Sequence, residues 1–178
     1  MLHSQNQKFH TKFALKNSIS TQKDGMIVLG SWATSNIISG TIGYYISDNS
    51  SRYFHQMNTA WNLVNLGIAG FGYKSASETD LNLEHDAALD KMQSFDKMLL
   101  INSGLDMLYI GSGALLWNHG IDIKSDRSTG YGKSIVLQGS FLLLFDISLY
   151  LIHRRYAKNL GERSTQLTFT GNGFLLSF

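Results

Sequence analysis

Cysteine is absent from the 178-residue sequence, which excludes disulfides, thiolate metal sites and cysteine nucleophiles. Proline is absent as well, so helices run without the residue that most often breaks or kinks them. Charge is scarce: 16% of residues are charged, against about 25% in a typical soluble domain. A net charge of +2 and the lack of any basic run leave no electrostatic footprint for nucleic acid. Neither the 43% hydrophobic content nor the mean hydropathy of −0.08 separates the chain from soluble proteins. The placement of the charges does.

Four windows, 26–46, 54–73, 98–117 and 134–152, hold only two formally charged residues, Asp106 and Asp146. Each window is about 20 residues long, the length that crosses a ~30 Å hydrocarbon core as a helix. The expected fold is therefore an all-α membrane protein, a four-helix transmembrane bundle forming a single domain. Residues 1–25 read as a polar leader, 26–152 as the bundle and 153–178 as a tail. The leader lacks the apolar core of a signal peptide, so the first span is expected to serve as the insertion signal.

Between the spans the sequence predicts a short polar turn at 47–52 and a polar, glycine-containing loop at 119–133. The stretch 74–97 has Ser75 and Glu78 at capping-box spacing, followed by Leu81, Ala88, Met92, Phe95 and Leu99 at sums of three and four. This predicts an amphipathic helix before span 3 that runs into it, with or without a break, and carries Asp80, Glu84, Asp86, Asp90, Lys91 and Asp96 on a solvated face. In the tail, Leu167 and Phe169, then Phe174, Leu176 and Phe178, alternate about the turn Gly171-Asn172-Gly173. That pattern predicts a C-terminal β-hairpin packed on the bundle or the membrane surface.

Lys and Arg are unevenly shared between the two sides. Eleven fall in the leader, the 74–97 segment and the tail, and four in the other two links. The positive-inside rule then places both termini in the cytoplasm.

Polar residues inside the windows form stripes. His55, Asn58, Asn62 and Asn65 share one face of span 2, and Trp32, Asn36, Ser39 and Gly43 one face of span 1. Asn102, Asp106, Tyr109 and Gly113 repeat the spacing in span 3, as do Gln138, Asp146, Tyr150 and His153 in span 4. Four stripes on four helices imply polar faces that meet inside a bundle while apolar faces meet lipid.

Two functions fit such a core. In the first, the amides and carboxylates hydrogen-bond across helices and fix helix pairing, and the protein is a structural or assembly bundle with an unidentified protein partner or a second copy of itself. In the second, Asp106 and Asp146, two carboxylates in low dielectric, share protons. They then centre a proton-coupled path or a polar-ligand pocket lined by Asn36, Asn58, Asn62, Asn65, Asn102 and Gln138, with His55 at its outer end. An enzyme is not expected, because His55 and His119 lack any catalytic or metal-binding spacing, and no cofactor or metal is implied.

Tyr53-Phe54-His55-Gln56-Met57-Asn58, followed by Trp61-Asn62 and Asn65, resembles a signature of a family of small uncharacterised bacterial membrane proteins. Leu29-Gly30-Ser31-Trp32-Ala33 with Asn36, Asn102-Ser103-Gly104-Leu105-Asp106, Gln138-Gly139 and Phe145-Asp146 are similar to it too. The resemblance covers 26–153. It implies a helical membrane fold and supplies no activity; the bacterial inner membrane is the expected location.

Overall fold

The computed structural model describes residues 2–164, 167–170 and 173–176. Four helices carry the chain: α1 (Leu2–Ile46), α2 (Asn49–Ser77), α3 (His85–Asp122) and α4 (Asp126–Ser164). The 45 residues of α1 extend about 67 Å at 1.5 Å per residue, more than twice a ~30 Å hydrocarbon core. The helices alternate in direction. α1 packs chiefly on α2, and α3 on α4, giving two antiparallel hairpins joined through contacts of α4 with α2 and α1. The backbones of the consecutive helices α2 and α3 stand apart, with no pair of their Cα atoms within 8 Å, and Trp61 and Tyr109 reach across with ring centroids 4.9 Å apart.

Buried positions recur at spacings of three and four along each helix. In α1 they run Thr11, Leu15, Ser18, Gln22, Gly25, Leu29, Ala33, Asn36, Gly40 and Gly43. In α3 they include Ala88, Met92, Asp96, Leu99, Ser103 and Asp106. A repeat near 3.5 residues keeps one stripe of a long helix facing its neighbours in left-handed bundle packing. Glycines on the stripe bring backbones close: a Cβ added at Gly130 would lie 2.7 Å from the Phe54 amide nitrogen.

Along the stripe the chemistry changes with height. Towards the N-terminus of α1 the interior is apolar, with Leu15, Ala88, Met92, Ala157 and Leu160 in one buried cluster. Farther along, the interior is polar, with Asn36, Asn58, Asn62, Asn65, Asp106, Gln138 and Asp146 buried. At that height large apolar side chains such as Ile38, Leu63, Val64, Ile101, Leu108 and Leu144 face outward. α3 and α4 are each long and apolar enough to cross a membrane.

The structure corrects the expected fold class in its additions to the bundle. The architecture is all-α, and no β-hairpin forms part of it. Among the described residues beyond α4, Leu167–Thr170 and Gly173–Leu176 pair only with each other and contact no helix. A two-stranded ribbon is marginal by itself, so the tail adds no packed element to the bundle. The amphipathic helix expected before span 3 runs into it without a break and begins at His85, later than the capping pattern suggested. Ser75 lies inside α2, Glu78 is the C-cap of that helix, and α3 is continuous from His85. Ala88, Met92 and Leu99 share one register with Ser103 and Asp106, and no glycine or proline interrupts 85–103. The stretch expected as a polar leader is helical from Leu2 and continuous with span 1. The expected 119–133 loop shrinks to 123–125, because Gly120 and Gly132 are packing notches against α4 and α3.

Candidate functional site

The polar interior is built from the amide side chains that the three-and-four spacing puts on one face of each helix. Trp32 Nε1–H of α1 donates to Gln138 Oε1 of α4 at 3.0 Å, and Gln138 Nε2 in turn donates to Asn58 Oδ1 of α2. Asn58 Nδ2 donates to Asn36 Oδ1 at 3.0 Å, which closes a ring over three helices. Asn36 Nδ2 donates to the Trp32 carbonyl at 2.8 Å. The chain continues down α2: Asn62 Nδ2 donates to the Asn58 carbonyl at 2.8 Å, and Asn65 Nδ2 to Asn62 Oδ1 at 3.3 Å. Trp32 is also stacked on Phe141, with ring centroids 3.8 Å apart, which fixes the direction of its N–H. Each Asn and Gln has both donor and acceptor groups, so these residue types, unlike acids or bases, can link head to tail without a charge.

Asp106 of α3 and Asp146 of α4 are both buried and lie beside one another. Two adjacent carboxyls can hydrogen-bond only if a proton lies between them. Gly139 allows this meeting of helices, since a Cβ there would stand 3.2 Å from the Asp106 carbonyl oxygen. Asp106 Oδ2 is buried with no hydrogen-bond donor among the described residues. The same is true, towards the outer end, of Ser134 Oγ, Thr59 Oγ1 and His55 Nδ1, which are buried and unpartnered.

The structure thus brings together Asn36, Asn58, Asn62, Asn65 and Gln138 in one network and pairs Asp106 with Asp146. It leaves two predicted residues outside. His55 is half-buried against Gly43, and Asn102 is half-buried with no hydrogen bond to the network. Among the described residues, no three or more His, Asp or Glu side chains converge in a way that could hold a metal ion.

A second polar cluster, which the sequence stripes only touch at His153, lies at the border between the polar and apolar interiors. Ser18 Oγ of α1 is 2.6 Å from His153 Nε2, and His153 Nδ1 is 2.7 Å from Asp96 Oδ1 of α3. Gln22 Nε2 donates to Ser18 Oγ at 3.1 Å and also contacts His153 Nε2 at 3.2 Å. His153 follows the fourth apolar window and precedes the exposed Arg154 and Arg155. Burial pushes its imidazole below the usual value, while the hydrogen bond and charge of Asp96 pull the other way. A hydroxyl, an imidazole and a carboxylate in this order have the connectivity of an activated nucleophile. Here, however, Ser18 and His153 are 0% exposed, and Gln22 occupies the space beside both reacting atoms. Ser18 is closed to solvent in this arrangement. The cluster pins α1, α3 and α4 together. Asp96 reads as solvated in sequence because acids precede it; its spacing of four from Met92 and three from Leu99 is the signal that places it inside.

Residues 28–147 match the model of a family of unknown function, DUF6992. No curated protein and no solved structure matches the chain.

Proposed function

The chain belongs to the DUF6992 family, and on that premise we propose that it is a four-span protein of the bacterial inner membrane with a structural or assembly role. Both termini lie in the cytoplasm, and the polar core fixes which helices pair. The observation that carries this reading is the closed amide ring of Asn36, Asn58, Gln138 and Trp32, in which three helices satisfy one another's polar groups. Such bonds contribute on the order of 0.6 kcal/mol each in a bilayer, so their value is specificity of pairing more than stability. The outward apolar faces at the same height support a lipid environment for all four helices. The excess of Lys and Arg at the end that holds both termini supports the orientation. No catalytic step is part of the proposal. What the scaffold holds is a protein partner or a second copy of the chain.

One observation favours a second reading, proton-coupled transport: the Asp106–Asp146 pair needs a proton, and Asp106 Oδ2 is left without a donor. The double substitution Asp106→Asn plus Asp146→Asn separates the two. Asn hydrogen-bonds as well as a protonated acid, so a scaffold keeps its thermal stability and oligomeric state. Proton flux into proteoliposomes, followed with a pH-sensitive dye, is then absent from both the native protein and the variant. Flux in the native protein that disappears in the variant overturns the scaffold reading in favour of transport.

A further inference from the structure

α2 and α3 are joined by only 78–84 yet stand apart, and the gap between them is lined in a way that selects its occupant. An apolar cavity of about 570 Å³ lies there, bounded by Leu63, Ile68 and Phe71 of α2, Met26 of α1, and Phe95 and Met98 of α3. From Leu63 to Ser75 it follows α2 for about 18 Å. Its walls are mostly apolar side chains from three helices, which suits a hydrocarbon chain. At its inner end the walls change character. Phe71 and Ser75 also border a second recess, and there the side chains are Lys74, Lys91 and Glu78. Glu78 is 3.8 Å from Lys74, and both are largely exposed, so the pair is weak and either partner is free to exchange. Lys23 lies close by, over the Tyr73 ring at 4.9 Å.

We propose that this groove holds one anionic phospholipid of the cytoplasmic leaflet, with an acyl chain between α2 and α3 and the phosphate at Lys74 and Lys91. The inference rests on the four-span reading, because only a membrane-embedded groove meets lipid. Bilayer lipid fills any surface crevice, so apolar contact alone selects nothing; the lysines at the slot's inner end are what distinguish an anionic headgroup from a zwitterionic one. The gap is then part of the design. A lipid fills the space that the α2 and α3 backbones leave between them.

Gly67 provides a clean test, since it lines the groove and a Cβ there meets nothing within 4 Å. A larger side chain at that position fills the slot without displacing protein atoms. Gly70 is equally open and lies outside the groove. The full chain is reconstituted into nanodiscs of equal phosphatidylglycerol and phosphatidylcholine, extracted in mild detergent, and its retained lipid counted by native mass spectrometry. The expected result is one phosphatidylglycerol per chain, lost in Gly67→Leu and kept in Gly70→Leu. Lys74→Gln with Lys91→Gln lowers the preference for phosphatidylglycerol about 25-fold, roughly fivefold per lysine. Retention of no lipid, equal retention of both headgroups, or unchanged retention in Gly67→Leu overturns the proposal. A chain that stays soluble without detergent and does not enter nanodiscs fails at the first step, and that outcome removes the four-span reading along with the lipid.

Discussion

At the height of Leu15 and Met92 the bundle keeps apolar side chains inside and turns Lys12, Lys16 and Asp90 outward; at the height of Asn62 and Asp106 the inside and outside are exchanged. Both regions belong to the same four helices and use the same three-and-four seam, so helix packing does not set the difference. On the proposed four-span reading, solvent does. Water around the inner region makes burial of Leu15 and Met92 favourable by the hydrophobic effect. Lipid around the other region would remove that driving force and leave close packing and hydrogen bonds between amides to take over. The Ser18–His153–Asp96 cluster lies where the two regimes meet, and the exposed Arg154 and Arg155 follow it directly.

Exchanging the two chemistries is the sharpest way to break this contrast. Leu15→Asn puts an amide into the dry apolar cluster without a partner, and should cost about 3–5 kcal/mol in thermal or denaturant unfolding, the largest effect expected. On the outer surface, Leu108→Lys places a charge where lipid is expected and should cost about 2.5–3.5 kcal/mol in an insertion assay. The reverse change at the other height, Lys16→Leu, should stay within about 0.5 kcal/mol. In the polar core, Asn58→Ala removes the acceptor of Gln138 and the donor to Asn36, and should cost about 1–3 kcal/mol of unfolding free energy in detergent. The smallest effect belongs to pH. The folded-state value of His153 is depressed below its unfolded value of about 6.5, so its neutral form stabilises the fold above that pH and the stabilisation declines as pH falls towards the folded value. Unfolding measured at pH 8 and pH 5 should show this loss, and His153→Gln should flatten it.

Much of the bundle is legible in the sequence because polar residues are conspicuous in apolar windows. Asn58, Asn62 and Asn65 announce a common face, and the structure joins them on that face. Asp106 and Asp146 stand out as the only charges in their windows, and they meet. The same logic fails where the surroundings are polar. In α1, Thr11, Ser18 and Gln22 continue the seam of Leu29 and Asn36, but among Lys8, Lys12 and Lys16 they look like part of a leader. Asp96 was hidden in the same way among the acids of 80–96. At Ser75 and Glu78 the error is of the opposite kind. A local capping pattern was outweighed by the continuing seam of α2, which buries Ala76. The separation of the α2 and α3 backbones left no mark in the sequence, because it depends on how the α3–α4 hairpin docks on α1 and α2 through α4.

The exchange of inside and outside with height is tested most directly by single cysteines, because the native chain has none to interfere. Leu108→Cys and Lys16→Cys are each exposed to a charged maleimide in inverted membrane vesicles, before and after the membrane is dissolved. The predicted result is rapid labelling of Lys16→Cys throughout and labelling of Leu108→Cys only after dissolution. Equal labelling of the two in intact vesicles would mean that water surrounds both heights, and would contradict the account.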